Sequence, residues 1–416
     1  MTGHRRNAFP MPNSNPLPIP SDAPARDAAL DLTRASLTLL VIAHHAVLAY
    51  HRYAPPVGKF TNEGLIWGAF PVIDAARGPG IDALTLWNDS FFMAMRFLLA
   101  GLFGPPALAR KGAGRFVRDR AMRLGLPFIV AAAVLAPLAY WPAYLLRAAA
   151  TGNPGFRSAW LGLGVWPAGP AWFLWVLLGF SVVLAGLWAA IPRLADRLAA
   201  FGAWCRERPV RACVVLAGLA VLAYLPTVRW VSPFAWFTWG PFTVQTGRVA
   251  LYAVYFLFGC ALGAGGRGIS DTWMAPAGPL ARRWQVWQSA AGAGFVAFVA
   301  ALIAWLMTSG RGGPPLWLGV AATMLFALTG VLTTFGLLAG FARWGHRGGA
   351  VVASLTRNAY GMYLVHYAIV TWTQYAMLDV ALPGLVKAGL VTAFGIGASW
   401  GLTLLLRKVP GVDRVI

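Results

Sequence analysis

The chain has 416 residues, of which 58% are hydrophobic and 11% charged, with a formal net charge of +21. A mean hydropathy of +0.63 excludes an ordinary soluble domain and points to an all-α polytopic membrane protein with no room for a large soluble module. The positive charge does not imply a nucleic-acid partner, because the basic residues fall in short segments between apolar runs, as membrane topology requires. Cys205, Cys213 and Cys260 have neither metal-ligand spacing nor a disulfide framework, so no metal is expected.

Residues 1–26 are polar and proline-rich, lack the apolar stretch of a cleavable signal, and read as a disordered cytoplasmic tail. Residues 27–416 read as one domain of about ten transmembrane helices. Spans are expected near 32–51, 88–108, 124–146, 171–191, 211–228, 247–264, 286–307, 317–341, 351–377 and 385–406. With both termini cytoplasmic, 24 basic residues fall inside and nine outside, and Arg96 is left within the second span. That asymmetry alternates loop by loop and supports the orientation.

The first span sets Asp31 and Arg34 at its mouth and His44-His45 in its middle. Arg34 and His45 are eleven residues apart, a spacing that returns to within ~20° on a helix after roughly 16 Å of rise. One face thus carries a cation at the membrane surface and an imidazole near the bilayer centre. An ionisable group at that depth is either a histidine hydrogen-bonded inside the bundle or a functional one. The arginine on the same stripe favours function.

The outer connection from Arg52 to Trp87 is too long for a tight turn and is expected to cap the outer mouth or re-enter the membrane. The outer loop Val228 to Gly247 is dense in Trp and Phe. It reads as an interfacial aromatic belt, with sugar stacking as the alternative.

The third span opens with Arg120 and Arg123, three residues apart on one expected helix face. Such a fork suits a polyanion, since guanidinium grips phosphate oxygens bidentately; plain positive-inside anchoring is the other reading. In the ninth span, Tyr363-Leu364-Val365-His366 puts His366 at the depth of His45, flanking one chamber or bonded to a neighbouring helix. Arg96 needs a partner or water, and Asp89, seven residues earlier on the same side of the helix, is a candidate partner. All thirteen carboxylates are expected in loops or at span ends. The available chemistry is therefore an imidazole base with arginines for an anionic partner.

Together these stretches resemble the acyltransferase-3 family of integral membrane proteins. The resemblance rests on Arg34 followed by His45, with Asp31 before them; on Arg120-x-x-Arg123 with Pro127; and on Tyr363-Leu364-x-His366. Phe91-Phe92 to Leu99-Ala100-Gly101 and Gly169-Pro170-Ala171-Trp172-Phe173-Leu174 are similar too, so it runs from about residue 27 to 406, closest to the glucan succinyltransferase-like branch. Ala100 and Ala359 stand where many members have serine, so no serine role is carried over at either place.

The resemblance implies a membrane O-acyltransferase of the bacterial inner membrane. It would move an acyl group, acetyl or succinyl, from cytoplasmic acyl-CoA to a hydroxyl of a glycan or lipid-linked acceptor. In that reading Arg34, Arg120 and Arg123 hold the acyl-CoA phosphates, His45 is the general base, Asp31 orients Arg34, and His366 holds acceptor or thioester. A dicarboxylic donor would need a further cation near the thioester, for which Arg96 is the visible candidate. The competing class is a multi-span transporter or flippase without covalent chemistry. The missing mid-membrane carboxylates weigh against it.

Overall fold

The computed structural model describes residues 27–415 except 64, 267, 310–312 and 348. The expected N-terminal tail, residues 1–26, lies outside the described residues. The long helices are α1 (Ala28–Val47), α2 (Ile81–Leu102), α3 (Ala113–Thr151), α4 (Trp172–Ala190) and α5 (Pro209–Val231). They continue as α6 (Val249–Gly263), α7 (Trp284–Thr308), α8 (Leu316–Trp344), α9 (Ala350–Ala376) and α10 (Gly384–Leu406). Among the described residues, nine helical stretches are long and apolar enough to cross a bilayer. The expected span at 351–377 is the exception. It is α9, a helix of 27 residues diluted in hydropathy by inward-facing Asn358, Tyr363, His366 and Gln374. Among the described residues the strands form one small hairpin, Trp236–Trp239 with Phe242–Gln245, inside the aromatic loop.

Burial separates an inner from an outer set. Of the most apolar window of each, 72% is buried in α2 and only 11% in α7, so α2 is central and α7 faces lipid. α2 and α6 approach at backbone contact. A Cβ on Gly259 or Gly263 would sit 2.0 Å from the carbonyl oxygen of Leu98 or Leu102, so only glycine permits this packing.

α3 and α9 are joined by a different device. Proline lacks an N–H, so Pro127 and Pro142 each leave the carbonyl four residues earlier without its helical donor. Those carbonyls belong to Arg123 and Leu138, and α9 fills both. The Tyr360 hydroxyl donates to the Arg123 oxygen, and the Trp372 indole donates to the Leu138 oxygen at 2.9 Å. α3 also widens into π-turns at Ala121–Gly125 and Ala131–Leu135. The Tyr363 hydroxyl donates to Pro170 at the entry to α4. α9 is therefore pinned to α3 and to the start of α4 by the side chains of Tyr360, Tyr363 and Trp372.

The connection from His51 to Gly80 closes the bundle at the end opposite Arg34. Gly68 O accepts the hydroxyls of Tyr140 (3.0 Å) and Tyr367 (3.3 Å). Arg147, 1% exposed, donates to the carbonyls of Pro71 and Phe70. Lys387 pairs with Asp74 at 2.7 Å.

Candidate active site

α1 carries Arg34, Thr38 and His45 on one stripe, because offsets of four and seven residues return to the same helix face. Arg34 is 53% exposed, pairs with Asp31 at 3.4 Å and lies 5.1 Å over the Phe103 ring. Asp31 thus belongs to Arg34 at the helix mouth, roughly 21 Å of helix away from His45. It does not join the groups around the imidazoles.

Three imidazoles meet inside the bundle. The His45 ring lies 5.4 Å from His366 and 5.5 Å from His44, centroid to centroid. Tyr367 stands edge-on to His45 at 4.9 Å, and His44 stacks on Phe92 at 5.1 Å. His366 is fully buried, and its Nδ1 contacts the Tyr363 carbonyl at 2.7 Å. A carbonyl only accepts, so Nδ1 carries the proton and Nε2 is the free acceptor of the neutral ring. His366 Nε2 and His45 Nδ1 are both shut off from solvent without a hydrogen-bond partner among the described residues. His44 and His45, by contrast, are only partly buried as residues, so each keeps some accessible surface.

Arg96 lies between this cluster and Arg34. Its guanidinium is 4.4 Å above the Tyr363 ring and 5.4 Å from that of Phe173, and Nη2 reaches Thr38 Oγ1 at 3.4 Å. Asp89 is not its partner. Arg248 holds that carboxylate with contacts of 2.5 and 2.7 Å, while itself lying 4.9 Å from the Phe326 ring. This pair also corrects the expectation that every carboxylate lies in a loop or at a span end. α2 starts at Ile81 rather than near residue 88, which carries Asp89 two turns into the helix. Arg248, Arg147 and Lys387, counted among the basic residues of the outer side, are all buried.

Arg120 is partly buried, 5.2 Å from the Phe116 ring, and lies within electrostatic range of Arg34 and Arg123. Arg123 is exposed. A π-turn begins directly after Arg120, so the two arginines are not on the regular helical face expected for them. They nevertheless stand with Arg34 in one cationic group at the mouth.

The family model described as an acyltransferase domain, acyltransferase-3, matches residues 27–404. The chain belongs to this acyltransferase family. No curated protein and no solved structure matches it significantly. The acyltransferase is therefore an all-α polytopic membrane protein whose titratable centre is built by α1 and α9. Several of its site residues were not legible beforehand: Tyr363 under Arg96, Tyr367 beside His45, and Arg248 on Asp89. A basic residue opening an apolar span was the one available signal for Arg248, and nothing marked its partner on another helix. The aromatic hairpin loop packs Phe242 on Phe128 and leaves Trp230 and Trp239 exposed, at 84% and 71%.

Proposed function

We propose that this membrane acyltransferase transfers an acetyl or succinyl group from acyl-CoA to a hydroxyl of a glycan or lipid-linked acceptor, with His45 as general base. The observation that carries the reading is that His45, only partly buried, stands 5.4 Å from the buried His366. The donor arrives at the Arg34 end, taken as cytoplasmic, where Arg34, Arg120 and Arg123 grip its phosphates as bidentate donors. A pantetheine arm of roughly 15–20 Å matches the helix rise from Arg34 to His45. His45 takes the acceptor's proton as its oxygen attacks the thioester carbonyl. The C–S bond then breaks, its electron pair passes to sulfur, and the proton on His45 follows to give free CoA. His366, beside His45 and with its Nε2 free to accept, holds the acceptor hydroxyl next to the base.

The test is release of free CoA by the purified protein in detergent, offered acetyl-CoA or succinyl-CoA with and without a membrane glycolipid extract. Turnover by the wild type that falls about 10²–10⁴-fold in a folded His45→Ala variant is the expected result. A folded His45→Ala protein of undiminished activity overturns the assignment of the base. Failure of the wild type to bind either donor overturns the donor.

A further inference from the structure

Arg96 is a cation inside the bundle without an anion. None of the ion pairs among the described residues includes it. Its Nη1 is shut off from solvent and has no hydrogen-bond partner among the described residues. The groups turned toward it are Thr38 from α1, Phe173 from α4, and Tyr363 from α9. Two aromatic faces replace part of a counter-ion and leave one nitrogen unsatisfied. An unpaired guanidinium at this depth is costly unless an anion forms beside it at some stage of the protein's work.

Position decides which anion that is. Thr38 is one turn from Arg34 and two from His45, so its partner Arg96 lies on the side from which the donor arrives. Tyr363, under the guanidinium, is itself 5.8 Å from His366. A thioester presented to His45 from the Arg34 end has its sulfur on this side of the carbonyl. The acyl tail lies on the other side, so a distal succinyl carboxylate would point away from Arg96.

We infer that Arg96 stabilises the CoA thiolate as it leaves. This rests on the proposed acyl transfer from CoA and adds a catalytic residue to it. When the C–S bond breaks, the electron pair goes to sulfur beside a cation already in place, and the charge needs no solvent to reorganise. The thiolate then takes the proton that His45 removed from the acceptor hydroxyl.

The experiment needs no acceptor. Affinities of CoA and of desulfo-CoA, which lacks the thiol, are measured by calorimetry at slightly alkaline pH on the wild type, Arg96→Met and Arg96→Lys. The wild type is expected to bind CoA about tenfold more tightly than desulfo-CoA, because an adjacent cation favours the thiolate. Arg96→Met loses that preference with desulfo-CoA affinity unchanged, which also shows that the variant is folded, and Arg96→Lys keeps most of it. Equal wild-type affinities, or a preference that survives in Arg96→Met, overturn the inference and leave the acyl-transfer reading standing. If Arg96→Met does not fold, the wild-type comparison and Arg96→Lys decide: a preference of the wild type that Arg96→Lys keeps supports the inference, and equal affinities in the wild type overturn it. Absence of binding by both nucleotides in the wild type overturns the donor reading itself.

Discussion

Gln374 of α9 donates from Nε2 to the main-chain carbonyl of His45 at 2.8 Å and to that of Ala46 at 3.0 Å. The side chain is 2% exposed, so these bonds replace solvent. They lie two turns beyond His366 on the same helix and fix how α9 slides along α1. The facing of His45 and His366 is set by this register. A Gln374→Leu substitution leaves two carbonyls short of a donor and lets the helices shift. Under the proposed function, kcat falls about tenfold to a hundredfold with KM for acyl-CoA little changed, since misplacing a base costs the chemical step. Steady-state kinetics that show an unchanged kcat, or a loss confined to KM, refute this positioning role.

Lys387 and Asp74 form an ion pair at 2.7 Å, each 2% exposed. Asp74 also accepts from the Ala76 amide at 2.8 Å, and Lys387 donates to the Leu378 carbonyl at 3.2 Å. The pair ties the long connection to the start of α10. Removing one member strands a buried charge, so Lys387→Met should cost about 3–5 kcal/mol. The double variant Asp74→Leu with Lys387→Met should recover most of that, because two charges no longer need to leave water. Thermal unfolding in detergent tests the pattern; a double variant as weak as the single one would contradict it.

Much of the site was readable because it lies along single helices. Arg34 and His45 share α1, and their spacing alone placed a cation and an imidazole on one face. His366 was placed at the depth of His45 by counting from the span's start, and the rings do meet. What could not be read lies between helices. Asp89 was given to Arg96 because they share α2, whereas Arg248 holds it from 159 residues away. Sequence distance carries no record of such a pairing. The start of α2 is hidden for a related reason: its first turns contain Asp82, Asn88 and Asp89, which lower hydropathy while their helix is already formed. The prolines of α3 were visible. That their freed carbonyls would take Tyr360 and Trp372 was not.

His51, just past the end of α1, links the same connection to pH. Its Nδ1 accepts from the Tyr53 amide at 3.2 Å and Nε2 faces Asp82 at 3.2 Å, a pattern that suits the neutral ring. Burial lowers its pKa, with Arg77 adding to the fall and Asp82 opposing it. The folded state therefore binds this proton less readily than the unfolded chain does. The contribution of the neutral ring is full above the unfolded value, ~6.5, and is lost as pH falls through the lower folded value. Protection of residues 51–60 against hydrogen exchange, taken relative to the intrinsic rate at each pH, should fall as pH drops below about 6.5, and His51→Gln should flatten that dependence. Exchange that is equally pH-dependent in the variant assigns the effect elsewhere.

At the opposite end, Arg34, Arg120 and Arg123 crowd together; Asp119 lies within electrostatic range of the last two, but among the described residues its ion pair is with Lys111. Like charges held close destabilise the empty protein unless a polyanion binds there. If they grip the CoA phosphates, their worth is in binding donor and transition state alike. Arg120→Gln and Arg123→Gln should each raise KM for acyl-CoA about tenfold and leave kcat nearly intact, which is the signature of uniform binding. The exposed Arg123 should contribute the more salt-sensitive share, because solvent ions screen it more than they screen Arg120 against Phe116. Kinetics of both variants at low and high salt separate the two. A fall in kcat with KM unchanged would place these arginines at the reacting atoms. An unchanged KM and kcat would return them to ordinary anchoring of the third span at the membrane surface.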